Sequence, residues 1–289
     1  MMRSRMYLIA VGMLLLPWIL QCQEDKRYRI ACIGFYNVEN LFDTIDQPEV
    51  NDQEFTPTGP NAWGNQRYEE KLNNLAEVIS RIGTDHSPDG LALLGLSEIE
   101  NRGVIEDLIR RPELKARGYA VVHYDSPDRR GVDVGLIYQP KYFQVTGSRS
   151  YRLKIPTEPD FLSRDQLLVS GYLDGEQVHV IVNHWPSRRG GEQSSRHLRN
   201  AAADLSRHIV DSLLRMDPEA KIMVMGDLND DPVDISVRHH LRAVGKKANV
   251  DPSRMYNPME EMFNKGIGSL AYRDSWNLFD QIIVSPGLV

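Results

Sequence analysis

The order of elements along this 289-residue chain predicts an α/β fold in which two packed mixed β-sheets are flanked by helices. Three observations carry the prediction. Short β-branched and aromatic runs alternate with Gly, Pro and Asp, two long segments carry apolar residues at helical spacing, and each of those segments stands between two apolar strands.

Taken in order, residues 30–36 read as a buried strand, and a polar loop rich in Asp, Pro and Asn follows over 43–66. Leu72, Leu75, Ala76, Ile79 and Ile82 then recur at helical spacing over 68–82, and Gly83 supplies the stop. Residues 91–96 form a short apolar run ending in Ser97 and Glu98, and 104–109 a short helix. Strands are predicted over 119–124, 132–138, 142–146, 167–173 and 178–182. A second long helix over 193–215 carries the stripe Leu198, Ala202, Leu205, Ile209 and Leu213, and the strand KIMVMG follows it. No aromatic hairpin is evident, although Trp63 and Trp276 lie in loop-like segments. With no internal repeat and no low-complexity linker, one domain over 26–289 is the simplest division.

The N-terminus places Arg3 and Arg5 before an apolar run over 6–20. That run is shorter than the roughly 20 residues of a membrane span, so residues 1–22 are expected to be a cleaved secretory signal and the mature chain to be exported. Cys22 sits where a lipidated cysteine would sit, but Gln21 before it argues against that processing. Cys32 is the one cysteine well inside the mature domain, so no structural disulfide is expected. A formal charge of -6 excludes non-specific coating of polyanions, and nucleic-acid binding would need a local basic patch.

Chemistry concentrates where strands end. In KIMVMGDLNDDP, over 221–232, strand alternation predicts Asp227 and Asn229 on one side at the strand's exit. A carboxylate to take a proton and an amide to stabilise developing charge suit phosphate-ester hydrolysis, although an Asp/Asn turn would look the same. The first strand ends with Asn37, with Glu39 and Asn40 just beyond, and GLSEIEN places Glu98 at another exit. Residues 178–182 run into Asn183, His184 and Trp185 and then the cationic PSRRGGE, where Arg188 and Arg189 are placed to meet phosphate. Glu98 is the foremost metal ligand, with Glu39 beside it. In the absence of a cysteine cluster or HExxH pair, Mg2+ is expected, with Mn2+ or Ca2+ as alternatives. Singly, such a glutamate is ordinarily a solvated cap and such a histidine a packed ring.

FYNVENLF, GLSEIEN, RRGVDVGLIY, SRDQLLVSG, VNHWPSRRGG, GDLNDDP and NLFDQIIVS, in that order, resemble the endonuclease/exonuclease/phosphatase superfamily. Its members include pancreatic-type deoxyribonuclease, abasic-site endonucleases, inositol-polyphosphate 5-phosphatases and bacterial sphingomyelinases. The resemblance covers the chain from about Tyr28 onward and implies a four-layer αββα sandwich and a Mg2+-dependent phosphodiesterase or nuclease. It implies that Asp227 positions or deprotonates water, that Asn229 donates to phosphoryl oxygens, and that Asn37 orients Asp227 and the phosphate. Glu98 would bind metal, His184 and Arg164 would contact phosphate, Asp133 would orient His184, and Asp280 would support the hydrogen-bond network.

One departure stands out: the family continues to a Ser-Asp-His segment, and this chain stops at Val289 without one. The expectation is a C-terminally truncated domain lacking its last strand or strands; Asp85 and His86 lie in the wrong topological place to substitute. Two alternatives stay open, a lipid, inositol or sugar phosphoesterase and a non-catalytic phosphate binder. The chain is expected to be a monomer.

Overall fold

Two parallel crossovers organise the molecule, because parallel strands cannot be joined by a tight turn and need an intervening helix. In the computed structural model, which describes residues 30–272 and 274–289, β1 (Cys32–Leu41) passes through α1 (Asn65–Arg81) to β2 (Leu91–Ile99), which pairs with it in parallel. The apolar run 6–20 and Cys22, on which the export and lipidation expectations rest, lies outside the described residues. Next come α2 (Arg102–Ile109), α3 (Pro112–Lys115), β3 (Ala120–His123), β4 (Asp133–Tyr138), β5 (Phe143–Tyr151) and β6 (Gln166–Leu173). The second crossover runs from β7 (Glu176–His184) through α4 (Glu192–Met216) to the parallel β8 (Lys221–Asp227). Beyond it lie β9 (Ala243–Val244), β10 (Met255–Tyr256), α5 (Met259–Asn264), β11 (Leu270–Tyr272), β12 (Ser275–Asn277) and β13 (Asp280–Val284).

The strands form a four-stranded sheet, β1-β2-β4-β3, a seven-stranded sheet, β5-β6-β7-β8-β13-β10-β9, and the separate pair β11-β12. Alternation of side chains then builds four layers, as expected. On β2, Leu94 and Leu96 face α1 and α2, whereas Leu93 packs between the sheets. On β8, Ile222 and Val224 lie under α4, whereas Met223 and Met225 meet the other sheet. A strand covered on both faces is apolar throughout, which is why KIMVM reads as a continuous run. The stripe on α1 buries Leu72, Leu75, Ala76 and Ile79; on α4, Ala202, Ile209 and Leu213 are buried and Leu198 and Leu205 half-buried.

Several expectations are corrected. β5 runs to Tyr151, and β11 and β12 pair antiparallel where no hairpin was expected, with Leu270 and Trp276 exposed. Trp63, in the loop before α1, is packed: its Nε1 donates to the Phe42 carbonyl at 3.0 Å and its ring meets Phe55 edge-on. Cys32 is a free thiol.

Outside the strand ends, Glu100 holds the loop that follows β1. Its carboxylate accepts from the Asp43 amide at 2.6 Å and from Gln47 Nε2 at 2.9 Å. Burial, above all, lifts its pKa to about 8, against the opposing pull of the Asp43 hydrogen bond. A raised carboxyl stabilises the fold in its neutral form. That contribution is complete below the unfolded value of about 4.3 and is lost as pH rises through the folded value. Urea unfolding from pH 5 to 8 is expected to show stability falling in the wild type and falling less steeply in Glu100→Gln; equal slopes would refute the assignment.

Gly226 has φ +155°, and a Cβ there would stand 2.2 Å from the Asn183 carbonyl oxygen. Neither backbone can yield without opening the β7–β8 ladder. Gly226→Ala is therefore expected to cost roughly 2–4 kcal/mol in chemical denaturation.

Candidate active site

Both parallel pairs deliver their last residues to the carboxyl-terminal strand ends, where open α/β sheets gather ligands. The register sets His184 beside Asp227, and Asp280 on the antiparallel β13 opposite Asp227. In the other sheet, β1 and β2 lose regular register after Asn37 and Ser97, at bulges where Glu39, Asn40 and Glu98 have φ of 55°, 60° and 59°. Bulges re-aim side chains, and left-handed backbone at non-glycine residues gathers at functional sites.

Glu98, His184 and Asp227 thereby come together, each offering an atom within 4.8 Å of the others. His184 Nε2 lies 3.9 Å from Glu98 Oε1 and 3.7 Å from Asp227 Oδ2. Asn37 links the sheets: its Nδ2 donates to Glu98 Oε1 at 3.3 Å and Asp227 Oδ2 at 3.0 Å, while its Oδ1 accepts from the Glu39 amide. Burial first and Asp280 second raise Asp227 to about 7, against the hydrogen bonds from the Asn229 amide and Asn37. Burial likewise holds His184 well below its ordinary value, helped by Arg164 and Arg130, so its ring is neutral. Asp280 is raised chiefly by burial, and its Oδ1 has no partner.

These groups open into a cavity of about 440 Å3 walled by Asp128, Arg130, Ser163, Arg164, Arg189 and Asn229. The Arg164 guanidinium is buried, donating to Asp128 Oδ2 at 3.3 Å and the Trp185 carbonyl at 2.7 Å, with its Nε unpartnered. That same carbonyl accepts from Asn229 Nδ2 at 3.0 Å, which occupies one of the two amide hydrogens. Asn229 lies past the end of β8, at φ 50°, with its backbone N–H donating to Asp227 Oδ1 at 2.9 Å. The Asp/Asn turn, not strand alternation, sets its place.

Four expected site residues lie elsewhere. Asp133 does not orient His184: its oxygens take His123 Nε2 at 3.0 Å and the amide and hydroxyl of Ser126, and the His184 Nδ1 has no partner. Asn183 is fully buried, bonded to the Ile181 and Met225 carbonyls, Trp185 Nε1 and the Ser206 hydroxyl. Arg188 holds the following turn, bonding the Asn229 carbonyl, Asp230, Asp231, Asp234 and Glu192 and lying 4.6 Å over the Phe279 ring. Glu39 is exposed and stands outside the ligand cluster. Asp128 and Ser163 were not anticipated; only the turn-rich SPDRRG before β4 hinted at the first.

The cluster of two carboxylates and a neutral imidazole beside a buried guanidinium lines a pocket at the rim of a four-layer sandwich. The Endonuclease/Exonuclease/phosphatase family model matches residues 32–289, and the chain belongs to that family of phosphoesterases and nucleases. No curated protein matches the sequence significantly. Among solved structures, a mannosyl-6-phosphatase from Bacteroides thetaiotaomicron aligns with TM-score 0.54 and 14% identity, covering 88% of this chain and 85% of its own. An endonuclease/exonuclease/phosphatase family protein from the same organism aligns with TM-score 0.53 and 15% identity, covering 88% and 80%. Truncated TDP2 from Caenorhabditis elegans gives 0.50 and 16%, covering 75% and 78%. At these identities the likeness is one of fold.

The two neighbouring arginines part company in this geometry. Arg188→Ala is expected to destabilise by about 1–3 kcal/mol, since it removes charge-assisted bonds to Asp230, Asp231 and Asp234. Arg189→Ala is expected to leave the unfolding midpoint unchanged and to raise KM for a phosphate ester. The reverse pattern would reassign both.

Proposed function

We propose that this protein is a metal-dependent phosphoesterase, most consistent with a phosphodiesterase or nuclease, in which Asp227 takes the proton of the attacking water. The observation that carries this reading is the convergence of Glu98, His184 and Asp227 within 4.8 Å in the arginine-walled cavity.

The donor set fits a hard divalent cation. Glu98 and Asp227 offer carboxylate oxygens, and their proximity with Asp280 nearby is costly without a counter-charge. Mg2+ is the first choice, Mn2+ or Ca2+ the alternatives, and Glu98 would hold it, leaving Asp227 to act on water. Such an ion supplies charge neutralisation at a phosphoryl oxygen and at the leaving oxygen.

The chain's own groups do the rest. Asp227, near neutrality and aligned by Asn37, is matched to proton removal from water at ordinary pH. Neutral His184 contacts the phosphoryl group without competing for the cation's charge. The free Arg164 Nε, the second amide hydrogen of Asn229 and Arg189 orient the phosphate, and Asp280 sustains the electrostatic setting of Asp227.

A second reading, a phosphoesterase of small lipid, inositol or sugar phosphates, is favoured by the cavity itself, whose 440 Å3 falls in the range of small-ligand pockets. Export rests on the leader-like composition of residues 1–22.

Turnover assayed over DNA, RNA, inositol phosphates, sugar phosphates and a chromogenic diester is expected to vanish with EDTA and return with Mg2+. Asp227→Ala and His184→Ala are each expected to lower kcat about a hundred- to a thousandfold with unchanged circular dichroism. Glu98→Gln is expected to raise the Mg2+ concentration needed for half-maximal rate. Phosphate binding without turnover under all these conditions would favour the non-catalytic binder.

A further inference from the structure

A second cationic concavity, of about 710 Å3, is lined by Arg238, Arg242, Lys246 and Arg254. Through Arg242 and Ser253 it continues into a smaller hollow that includes Arg207 on its wall. The acids on these walls are already engaged, Glu260 with Arg238 at 2.8 Å and Asp211 with Arg207. Among the described residues, Arg242 and Lys246 have no ion pair.

Arg207 points to a missing ligand. Its residue is 6% exposed, yet Nε and Nη1 have no partner. Unpartnered buried donors are rare and costly, and a guanidinium more so than a neutral group. Arg242 adds a second sign, a left-handed backbone at φ 62° in a bulky residue whose side chain is thereby set on the wall shared by the two hollows.

The strand register separates this place from the catalytic pocket. Tyr256 on β10 pairs with Val284, which pairs with Met223, four positions upstream of Asp227 on β8. At about 3.3 Å per residue and about 4.8 Å per strand, β9 lies on the order of 20 Å from Asp227, at the other end of the same sheet. The two cavities share no lining residue.

We propose that this concavity is a second anion site, which binds a small molecule carrying two or more phosphate groups. Forked guanidinium groups match phosphate oxygens, and several cations on one hollow match clustered charge. Cations gathered around one hollow suit a compact anion better than a nucleic-acid strand, which would need a continuous basic track, and a formal charge of -6 supplies no general attraction for polymers. The inference is independent of the hydrolytic reading.

Calorimetric titration of the whole chain with inorganic tripolyphosphate, in EDTA and 0.1 M salt, tests it. The expected result is one saturable site, weakened at least about tenfold in Arg242→Ala/Lys246→Ala and retained in Arg189→Ala, whose change lies in the catalytic pocket. The double variant, altered only at the surface, is expected to keep wild-type phosphoesterase rates. Arg207→Met, checked for an unchanged unfolding midpoint, is expected to weaken binding as well. No saturable binding, binding untouched by the double variant, or binding of a single-stranded oligonucleotide in preference to tripolyphosphate would overturn the proposal.

Discussion

The candidate site depends on one alignment of main chain: the parallel ladder between β7 and β8 that sets His184 level with Asp227. Nothing in the side chains of either residue enforces that level. His184 makes no hydrogen bond through Nδ1, and its Nε2 is too far from the carboxylates for a strong one. The ring is held by its strand and by the packing that buries it, and Gly226 is the residue that lets the two strands close at that point. Main chain and packing, rather than hydrogen bonds of its ring, thus set the level of His184.

Asn37 carries that alignment across to the other sheet. A single amide nitrogen contacts both Glu98 and Asp227, so the gap between sheets at the rim is fixed by one side chain whose oxygen is itself held by the Glu39 amide. Around it the structure accumulates features that cost stability: left-handed backbone at Glu98 and Asn229, a buried neutral histidine, and aspartates raised by burial. Such features occur elsewhere in the fold as well, at Arg242 and Glu100 for example, but here several converge on one group of side chains, as expected where strain serves a ligand.

The layers were legible in the sequence because burial on two faces and burial on one leave different periodicities. IMVM after Lys221 and LALLGL are apolar throughout, and the helix stripes repeat every three or four residues. The two-residue β9 and β10 and the pair β11 and β12 were not, since strands that short leave no period to read. At the site, Glu98, His184, Asp227 and Asn37 could be chosen because each ends an apolar run. The arginines could not be sorted: Arg188 and Arg189 are adjacent and identical, and only the acids of the next turn, Asp230, Asp231 and Asp234, determine which is consumed internally. Asp133 misled for a similar reason, since its histidine is the neighbouring-strand His123, a partner that strand pairing chooses and sequence proximity to RRGVD does not reveal.

The distribution of charge sets limits on how substrates reach this protein. At physiological salt the field of exposed charges is largely screened beyond about 8 Å, so capture of an anion depends on local fields inside concavities. The pocket at the strand ends supplies such a field from Arg130, Arg164 and Arg189, of which Arg164 is shielded from solvent and therefore little screened. The same reasoning applies to the hollow around Arg207 at the far end of the sheet. Because both fields are short-ranged, an anion occupying one site has little direct electrostatic effect on the other. The elements that span the distance are β8 and β13, which carry Asp227 and Asp280 at one end, and α4, which carries Arg207 and through Arg199 holds Asp230 in the turn after β8.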